Sequence, residues 1–205
     1  MKTALALAPD PDLPSAFARA QLGFLLQLAY SGERGAARAY VGHAASLRDP
    51  RERREVRRIL RDEVRHRLAL RRMMAELGFA ADARRERKLD RIGKTISLFS
   101  RLGGYFLPMY GAARLECQNI GEYEHAARLA VCAGQLRMAD ELLELAEVEW
   151  DHELFFRSCE SRHPLWRVMP HWPAPAPRAS IRERFAHFLE GDRPISRVIA
   201  PWLIR

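Results

Sequence analysis

The chain has 205 residues, a formal net charge of +8 at pH 7 and 48% hydrophobic residues. That hydrophobic content fits a folded domain with a full core and argues against a disordered chain. Three scattered cysteines, Cys117, Cys132 and Cys159, are too few for a disulfide framework and suit a reducing compartment. The first 14 residues contain too short an apolar run for a secretory signal, so a cytoplasmic protein is expected.

The positive charge comes almost entirely from arginine, because only Lys2, Lys88 and Lys94 are lysines. The basic stretches 48–72 and 84–94 are interleaved with Glu and Asp. This interleaving favours a solvated helix face with intrahelical ion pairs. A functional basic surface that binds nucleic acid or an anionic membrane is the alternative.

Helical periodicity runs through most of the chain, and strand-like alternation is missing. The predicted helices are, in chain order, 14–47, 51–77, 83–102, 108–133 and 137–160. Each predicted end coincides with a local stop signal: Asp49-Pro50, Gly78, Gly103-Gly104 and Gly134. The pattern predicts an all-α, ferritin-like four-helix bundle over residues 1–160, with 83–102 as an extra basic helical connector.

Residues 161–205 differ in composition and are predicted to form a Pro-rich C-terminal extension. Five prolines between positions 164 and 177 indicate an extended spacer. A capping box, Ser180-x-x-Glu183, then predicts a short helix that ends before Gly191. The apolar final segment, 194–205, is expected to dock on the bundle, a partner subunit or a membrane.

The stretch 95–112 is rich in apolar residues but does not predict a transmembrane helix. Arg101, Gly103-Gly104 and Pro108 interrupt it. Burial in the core is the preferred interpretation. A lipophilic substrate mouth or an interfacial membrane contact is the alternative.

Two Glu-x-x-His motifs stand out, one on the second predicted helix and one on the last helix of the bundle. They are Glu63 with His66, and Glu149 with His152. A single motif of this kind is weak evidence, but both interrupt a stripe of apolar residues that should face the core. Ionised carboxylates are costly there unless they are paired or bind a metal.

The two remaining bundle helices each add one glutamate in an equivalent position. Glu33 interrupts the apolar stripe of the first helix, and Glu116 interrupts that of the 108–133 helix. Each bundle helix therefore supplies one element, in the order Glu, Glu-x-x-His, Glu, Glu-x-x-His. The separation from the lone Glu to the following motif is also similar in the two halves, which is expected of two helical hairpins related by a pseudo-two-fold axis.

Four carboxylates and two imidazoles in a bundle core are the donor set of a di-iron or di-manganese site. Oxygen ligands with two nitrogens suit iron and manganese better than a thiolate site would. The alternative is that four independent buried glutamates each pair with an arginine. It requires the same coincidence on all four helices, so a metal site is predicted.

The first helix contains a segment that resembles the demethoxyubiquinone hydroxylase family, the di-iron enzymes of ubiquinone biosynthesis. Residues 32–42 read GERGAARAYVG, similar to that family's G-E-x-G-A-x-R-x-Y-x-G signature. The D-E-x-x-H form at 62–66 and the E-x-x-H form at 149–152 also match. The resemblance covers roughly residues 28–160.

This resemblance implies a ligand set and an activity. The implied metal ligands are Glu33, Glu63, His66, Glu116, Glu149 and His152, with Glu63 and Glu149 bridging two ions. The implied activity is an O2-dependent monooxygenase, supported by NADH or another electron donor, that hydroxylates a quinol ring bearing a polyprenyl tail. The apolar 95–112 stretch lies where that family has its substrate- and membrane-facing segment.

Three features depart from the family pattern. Glu122, six residues after Glu116, stands where the family usually has a histidine. Cys117 replaces the second Glu of a pair, and the Pro-rich extension is additional. If Glu122 points toward the metals it must be protonated, paired with an arginine or an extra ligand; otherwise it is an ordinary solvated residue. Tyr40 and Tyr123 are further candidates for contact with the ligands.

The leading functional hypothesis is a di-iron monooxygenase that acts on a lipophilic quinol or a related aromatic molecule. The expected cofactors are two iron ions, with manganese as the alternative metal. O2 and the quinol are the expected partners, with peripheral contact on the inner face of the membrane and a homodimer as further candidates. A tRNA-modifying hydroxylase and a ferroxidase without an organic substrate share the ligand pattern; the Glu/Arg interleaving argues against nucleic acid.

Overall fold

The computed structural model describes residues 15–191, and this part of the chain is helical without any strand. The helices are α1 Ser15–Ser46, α2 Pro50–Glu76, α3 Ala83–Gly103, α4 Phe106–Cys132, α5 Leu136–Glu160 and α6 Ala179–Leu189, with a 3-10 turn at Pro164–Val168. The predicted all-α bundle is confirmed, and each predicted bundle helix is present to within two residues at either end. The final segment 194–205 and the N-terminal 14 residues lie outside the described residues.

The helix ends follow the local stop signals in the sequence. The Asp49 side chain accepts a hydrogen bond from the Arg51 N–H at 2.7 Å, and Pro50 takes the first helical position of α2, where its missing N–H costs nothing. Gly78 and Gly134 have φ values of 76° and 73°, which glycine adopts without a steric penalty, and each follows the end of a helix.

The predicted capping box of the short C-terminal helix is wrong. α6 begins at Ala179 after an N-cap at Arg178, and no side chain caps its first turn. Ser180 therefore lies inside the helix, where its hydroxyl donates to the Pro177 carbonyl at 2.6 Å. The helix starts earlier than predicted because the chain already turns at Pro177, whose carbonyl also accepts from the Ser180 N–H at 2.8 Å.

The described residues form two compact units. One unit comprises Gly23–Glu116 and Asp151–Pro173. Within the described residues, the other unit comprises 15–22, Cys117–Trp150 and 174–191. Helices α1, α4 and α5 each run unbroken from one set of residues into the other.

In the first of these units, α1 and α3 pack with their backbones in close approach. A Cβ added at Gly42 would lie 2.1 Å from the Ser97 carbonyl oxygen, and one at Gly93 would lie 2.3 Å from the Gly35 carbonyl oxygen. Any larger side chain at these positions would force the helices apart. Arginines of α1 add ion pairs, with Arg34 Nε 2.9 Å from an Asp90 carboxylate oxygen. α3 is therefore held firmly against α1.

In the other unit, α6 packs on the helices through one apolar residue and two arginines. Ile181 is buried. Arg182 Nε lies 2.7 Å from Glu147 Oε1, and Arg184 pairs with the buried Glu124. These contacts hold α6 in this unit.

Among residues 15–191, no helix combines the length and the apolar content that crossing a membrane requires.

Candidate metal centre

All six sequence-predicted ligands project into the protein interior. α1 supplies Glu33, α2 supplies Glu63 and His66, α4 supplies Glu116, and α5 supplies Glu149 and His152. Each is at most 4% exposed. The interrupted apolar stripes therefore do face inward, as the sequence indicates.

The ligand atoms form two overlapping groups. One group consists of Glu33, Glu63, His66 and Glu149, and the other of Glu63, Glu116, Glu149 and His152. Within each group, one donor atom per residue lies within 4.8 Å of the others. Five of the six residues belong to one compact unit, and Glu149 stands three residues before His152 on the continuous helix α5.

The two groups share Glu63 and Glu149, so these two carboxylates are placed to serve two ions at once. Each remaining member belongs to one group only. The arrangement is nearly symmetric, because each group contains one lone glutamate and one histidine. His66 Nδ1 lies 3.7 Å from Glu33 Oε1, and His152 Nδ1 lies 3.3 Å from Glu63 Oε1.

This donor set suits a pair of divalent first-row metal ions. Carboxylate oxygens and imidazole nitrogens without a thiolate favour iron or manganese. Carboxylates gathered at such distances in a buried site repel one another, so their charge must be balanced by protons or by cations. Two divalent ions provide four positive charges, equal to the charge of four ionised carboxylates.

Tyr40 contacts a ligand directly. Its hydroxyl donates a hydrogen bond to Glu116 Oε1, and its ring packs against Phe156 at 5.3 Å and His43 at 5.1 Å between centroids. The sequence named Tyr40 as a candidate for contact with the ligands, and the structure places it there. Burial lowers the pKa of His43 to about 3, so this imidazole is neutral.

Asp62 contacts Nε2 of His152, one of the candidate ligands, a role that the sequence did not assign. Its Oδ2 lies 3.4 Å from His152 Nε2, while Arg58 and Arg65 pair with the carboxylate at 2.7 and 2.9 Å. Burial alone would raise the pKa of Asp62, but the His152 hydrogen bond and the arginine charges lower it below its usual value. An ionised Asp62 fixes the orientation of the His152 ring. The signal was present in the Asp of the D-E-x-x-H motif.

Glu122 and Tyr123 belong to neither ligand group. Tyr123 is buried, whereas Glu122 is only partly buried on α4. The buried acid on that segment is Glu124, which pairs with Arg184 and lies 3.7 Å from Arg128. Arg184 lies 60 residues from Glu124 in the sequence, so local periodicity does not reveal this ion pair.

Two further buried glutamates of α5 escaped the sequence analysis. Glu153 is fully buried, and its Oε1 accepts from Arg157 Nε at 2.7 Å and from Trp172 Nε1 at 3.2 Å. Glu160 is also fully buried, and burial raises its pKa to about 8. Their spacings of 4 and 11 residues from Glu149 place all three on one helix face, which was the available signal.

The unit that contains five of the ligands also has an apolar cluster beside them. Its members from α1, α2, α4 and α5 include Ala39, Leu47, Val56, Ile59, Met109, Ala113 and Phe156, all buried. Water has little access to such surroundings, and a low local dielectric strengthens the attraction between the carboxylates and bound cations.

Comparisons with protein-family models, with curated proteins and with solved structures give no match. The resemblance to the demethoxyubiquinone hydroxylases therefore rests on the quoted motifs, and the class that the site itself defines is that of helical bundles with a carboxylate–histidine cluster able to hold metal ions.

Proposed function

We propose that this chain is an O2-dependent di-iron monooxygenase that acts on a lipophilic quinol or a related aromatic substrate. The observation that carries the proposal is the convergence of four glutamates and two histidines from four helices into two overlapping ligand groups. This is the donor arrangement that di-iron carboxylate bundles use.

The ligands divide naturally between two ions. Glu33 and His66 would hold one ion, Glu116 and His152 the other, and the shared Glu63 and Glu149 would bridge them. When bound, the iron pair supplies electrons to O2 and stabilises the resulting negative charge as a Lewis acid. The overall reaction inserts one oxygen atom into the ring and releases the other as water, so it consumes two electrons and two protons from an external donor such as NADH.

The residues around the ligands hold them in place. Tyr40 donates to Glu116, and Asp62 fixes the His152 ring from the side away from Glu63. Preorganised ligands of this kind lower the reorganisation that the chemistry requires. The neighbouring apolar cluster limits the entry of water.

A lipophilic substrate is supported by the surface that α3 and the start of α4 expose. Phe99 is 66% exposed, Leu102 77% and Leu107 62%. Lys94 and Arg101 are exposed on the same segment. An apolar helix face edged by lysine and arginine is suited to lie at an anionic membrane surface, where a polyprenyl quinol resides. We therefore include peripheral membrane contact in the proposal.

The metal centre can be tested by elemental analysis after anaerobic loading with ferrous iron. About two iron ions per chain are expected from the ligand count. Glu149→Ala should lose both ions because this carboxylate belongs to both groups. Glu144→Ala, an exposed glutamate on the same helix, is the matched control and should bind iron like the parent. Equal iron content in the Glu149→Ala and Glu144→Ala proteins would refute the assignment.

The reaction can be tested with the iron-loaded protein, a chemical reductant and a short-chain demethoxyquinol. Oxygen uptake that matches hydroxylated product supports the monooxygenase. Iron oxidation without product from this quinol or other simple aromatic substrates would favour the ferroxidase alternative. Accumulation of a methoxy-quinone precursor on deletion of the gene would identify the substrate in the cell.

A further inference from the structure

The outer face of α2 carries a row of exposed arginines. Arg54, Arg57, Arg61 and Arg65 recur every three or four residues, and all four are exposed. At 1.5 Å per residue the row extends over about 17 Å of the helix. Arginine at this spacing presents a continuous line of cations to solvent.

Among residues 15–191, the acidic residues interleaved with this row in the sequence pair with only one of its four arginines. Asp62 and Glu63 turn inward and are buried. Glu55 pairs with Arg58 at 2.6 Å, and Glu52 pairs with Arg162. Asp62 and Asp151 also act on Arg58. Within residues 15–191, Arg54, Arg57 and Arg61 have no carboxylate at ion-pair distance. Of the four arginines in the row, Arg65 pairs with Asp62 at 2.9 Å, and the other three keep the row positive.

The row also contains exposed aliphatic side chains. Val64 is 46% exposed and Leu68 63% exposed, and both follow Arg61 along the same face. Exposed aliphatic residues beside arginines add apolar area, which protein–protein contacts bury. Phosphate backbones bind cations and gain little from exposed aliphatic side chains.

The position of the row relative to the metal ligands is the decisive feature. At about 100° per residue, Glu63 and His66 lie roughly 200° and 140° around the helix from Arg61, on the opposite face. A protein docked on the row is therefore separated from these ligands by about one helix, a thickness of roughly 10 Å. Arg65 also reaches a ligand through two contacts, to Asp62 at 2.9 Å and from Asp62 to His152 at 3.4 Å.

We propose that this arginine row is the docking surface for a small acidic electron-carrier protein that holds an iron–sulfur cluster. The inference rests on the proposed function, which needs two electrons per turnover and has a buried metal centre. The carrier is oxidised by one electron at each encounter, so two encounters supply one turnover. The carrier's negative charge complements the row, and docking there brings its cluster within about one helix thickness of Glu63 and His66.

Binding can be measured with an acidic plant-type [2Fe–2S] ferredoxin as the probe and with the full-length chain free of metal. The double variant Arg57→Glu/Arg61→Glu should bind the ferredoxin about tenfold more weakly, equivalent to about 1.4 kcal/mol, because two attractive charges become repulsive. Binding by the parent should weaken with added salt. Arg57→Gln/Arg61→Gln provides a milder test if charge reversal disturbs folding.

The matched control is Arg87→Glu/Arg91→Glu, which makes the same change of charge at the same spacing on α3, where both arginines are exposed. This variant should bind ferredoxin like the parent. Equal loss in both double variants would show attraction to net charge alone and would overturn the docking site. Unchanged ferredoxin binding in the α2 variant would also overturn the docking site. So would an α2 variant that loses binding to a labelled 20-nucleotide RNA or to phosphatidylglycerol vesicles but still binds ferredoxin.

Electron transfer gives a second readout. When reduced ferredoxin is mixed anaerobically with the ferric-loaded protein, its visible absorbance reports its oxidation. We expect this oxidation to be slower with the α2 variant than with the α3 control. Ferredoxin binding is measured without metal, and iron content is measured separately. A negative binding result therefore refutes the docking site without refuting the proposed metal centre. Failure of iron loading refutes the proposed function whatever the ferredoxin does.

Discussion

Glu160 is the last residue of α5 and is fully buried, with neither carboxyl oxygen hydrogen-bonded among the described residues. Burial raises its pKa to about 8; the positive charge of Arg157 opposes this shift and the negative charge of Glu153 adds to it. The folded protein therefore holds a neutral carboxylic acid at this position at neutral pH. Such a group stabilises a fold only while it stays protonated.

The pH dependence of folding follows from this shift. The folded-state pKa lies above the unfolded value, so the folded state holds the proton more tightly and stability falls as pH rises from about 4.5 to about 8. Glu160→Gln removes the ionisation and should raise the free energy of unfolding at pH 8 by about 4 kcal/mol while changing it little at pH 4.5. Urea unfolding at both pH values measures this. Glu144→Gln, exposed on the same helix, should follow the parent; a Glu160→Gln protein with the parent's pH slope would contradict the prediction.

At the scale of the helix, the segment 32–42 of α1 contributes residues both to the candidate metal site and to the contact with α3. Glu33 is a candidate ligand and Tyr40 donates a hydrogen bond to another, Glu116. Arg34 and Arg38 pair with Asp90 of α3. Gly35 and Gly42 lie where the backbone of α3 comes closest. Several signature positions therefore serve to hold α3 against α1 and take no part in ligand binding.

The helix contact can be tested with two glycine substitutions on α1. Gly42→Ala places a Cβ within 2.1 Å of the Ser97 carbonyl, which cannot rotate away, and should lower the free energy of unfolding by about 2 kcal/mol. A Cβ at Gly32 meets nothing within 4 Å, so Gly32→Ala should stabilise by about 0.5–1 kcal/mol through helix propensity. Urea midpoints give both values. Similar effects at the two positions would show that α1 and α3 are not in close contact.

At the scale of the whole molecule, the proposed metal site would couple metal binding to folding, because its residues come from four helices separated by up to 119 positions, Glu33 to His152. The unfolded chain cannot gather them. A metal that binds only the folded state stabilises it by mass action, by about 2.7 kcal/mol at a hundredfold excess over the dissociation constant.

Thermal unfolding under anaerobic conditions should therefore shift to higher temperature on addition of ferrous or manganous ions, and a chelator should reverse the shift. The Glu149→Ala protein should show little or no shift, since it lacks a carboxylate common to both ligand groups. An equal shift in this variant would place the stabilising metal elsewhere on the chain.

The sequence by itself determined the helices and the burial of the six candidate ligands. Helix ends at Asp49, Gly78 and Gly134 follow from local backbone preferences, which operate within a few residues. The six ligands were recognisable because each interrupts an apolar stripe with helical spacing, and that spacing fixes which face a residue occupies.

Only the tertiary structure decided how the remaining charges are used. Glu124 is buried and pairs with Arg184, 60 residues away, whereas Glu122 is only partly buried. Asp62 turns inward to His152, 90 residues away, while it still pairs with Arg58 and Arg65 of its own helix. Ion pairs and desolvation depend on which helices become neighbours, and local periodicity carries no information about partners so distant in sequence.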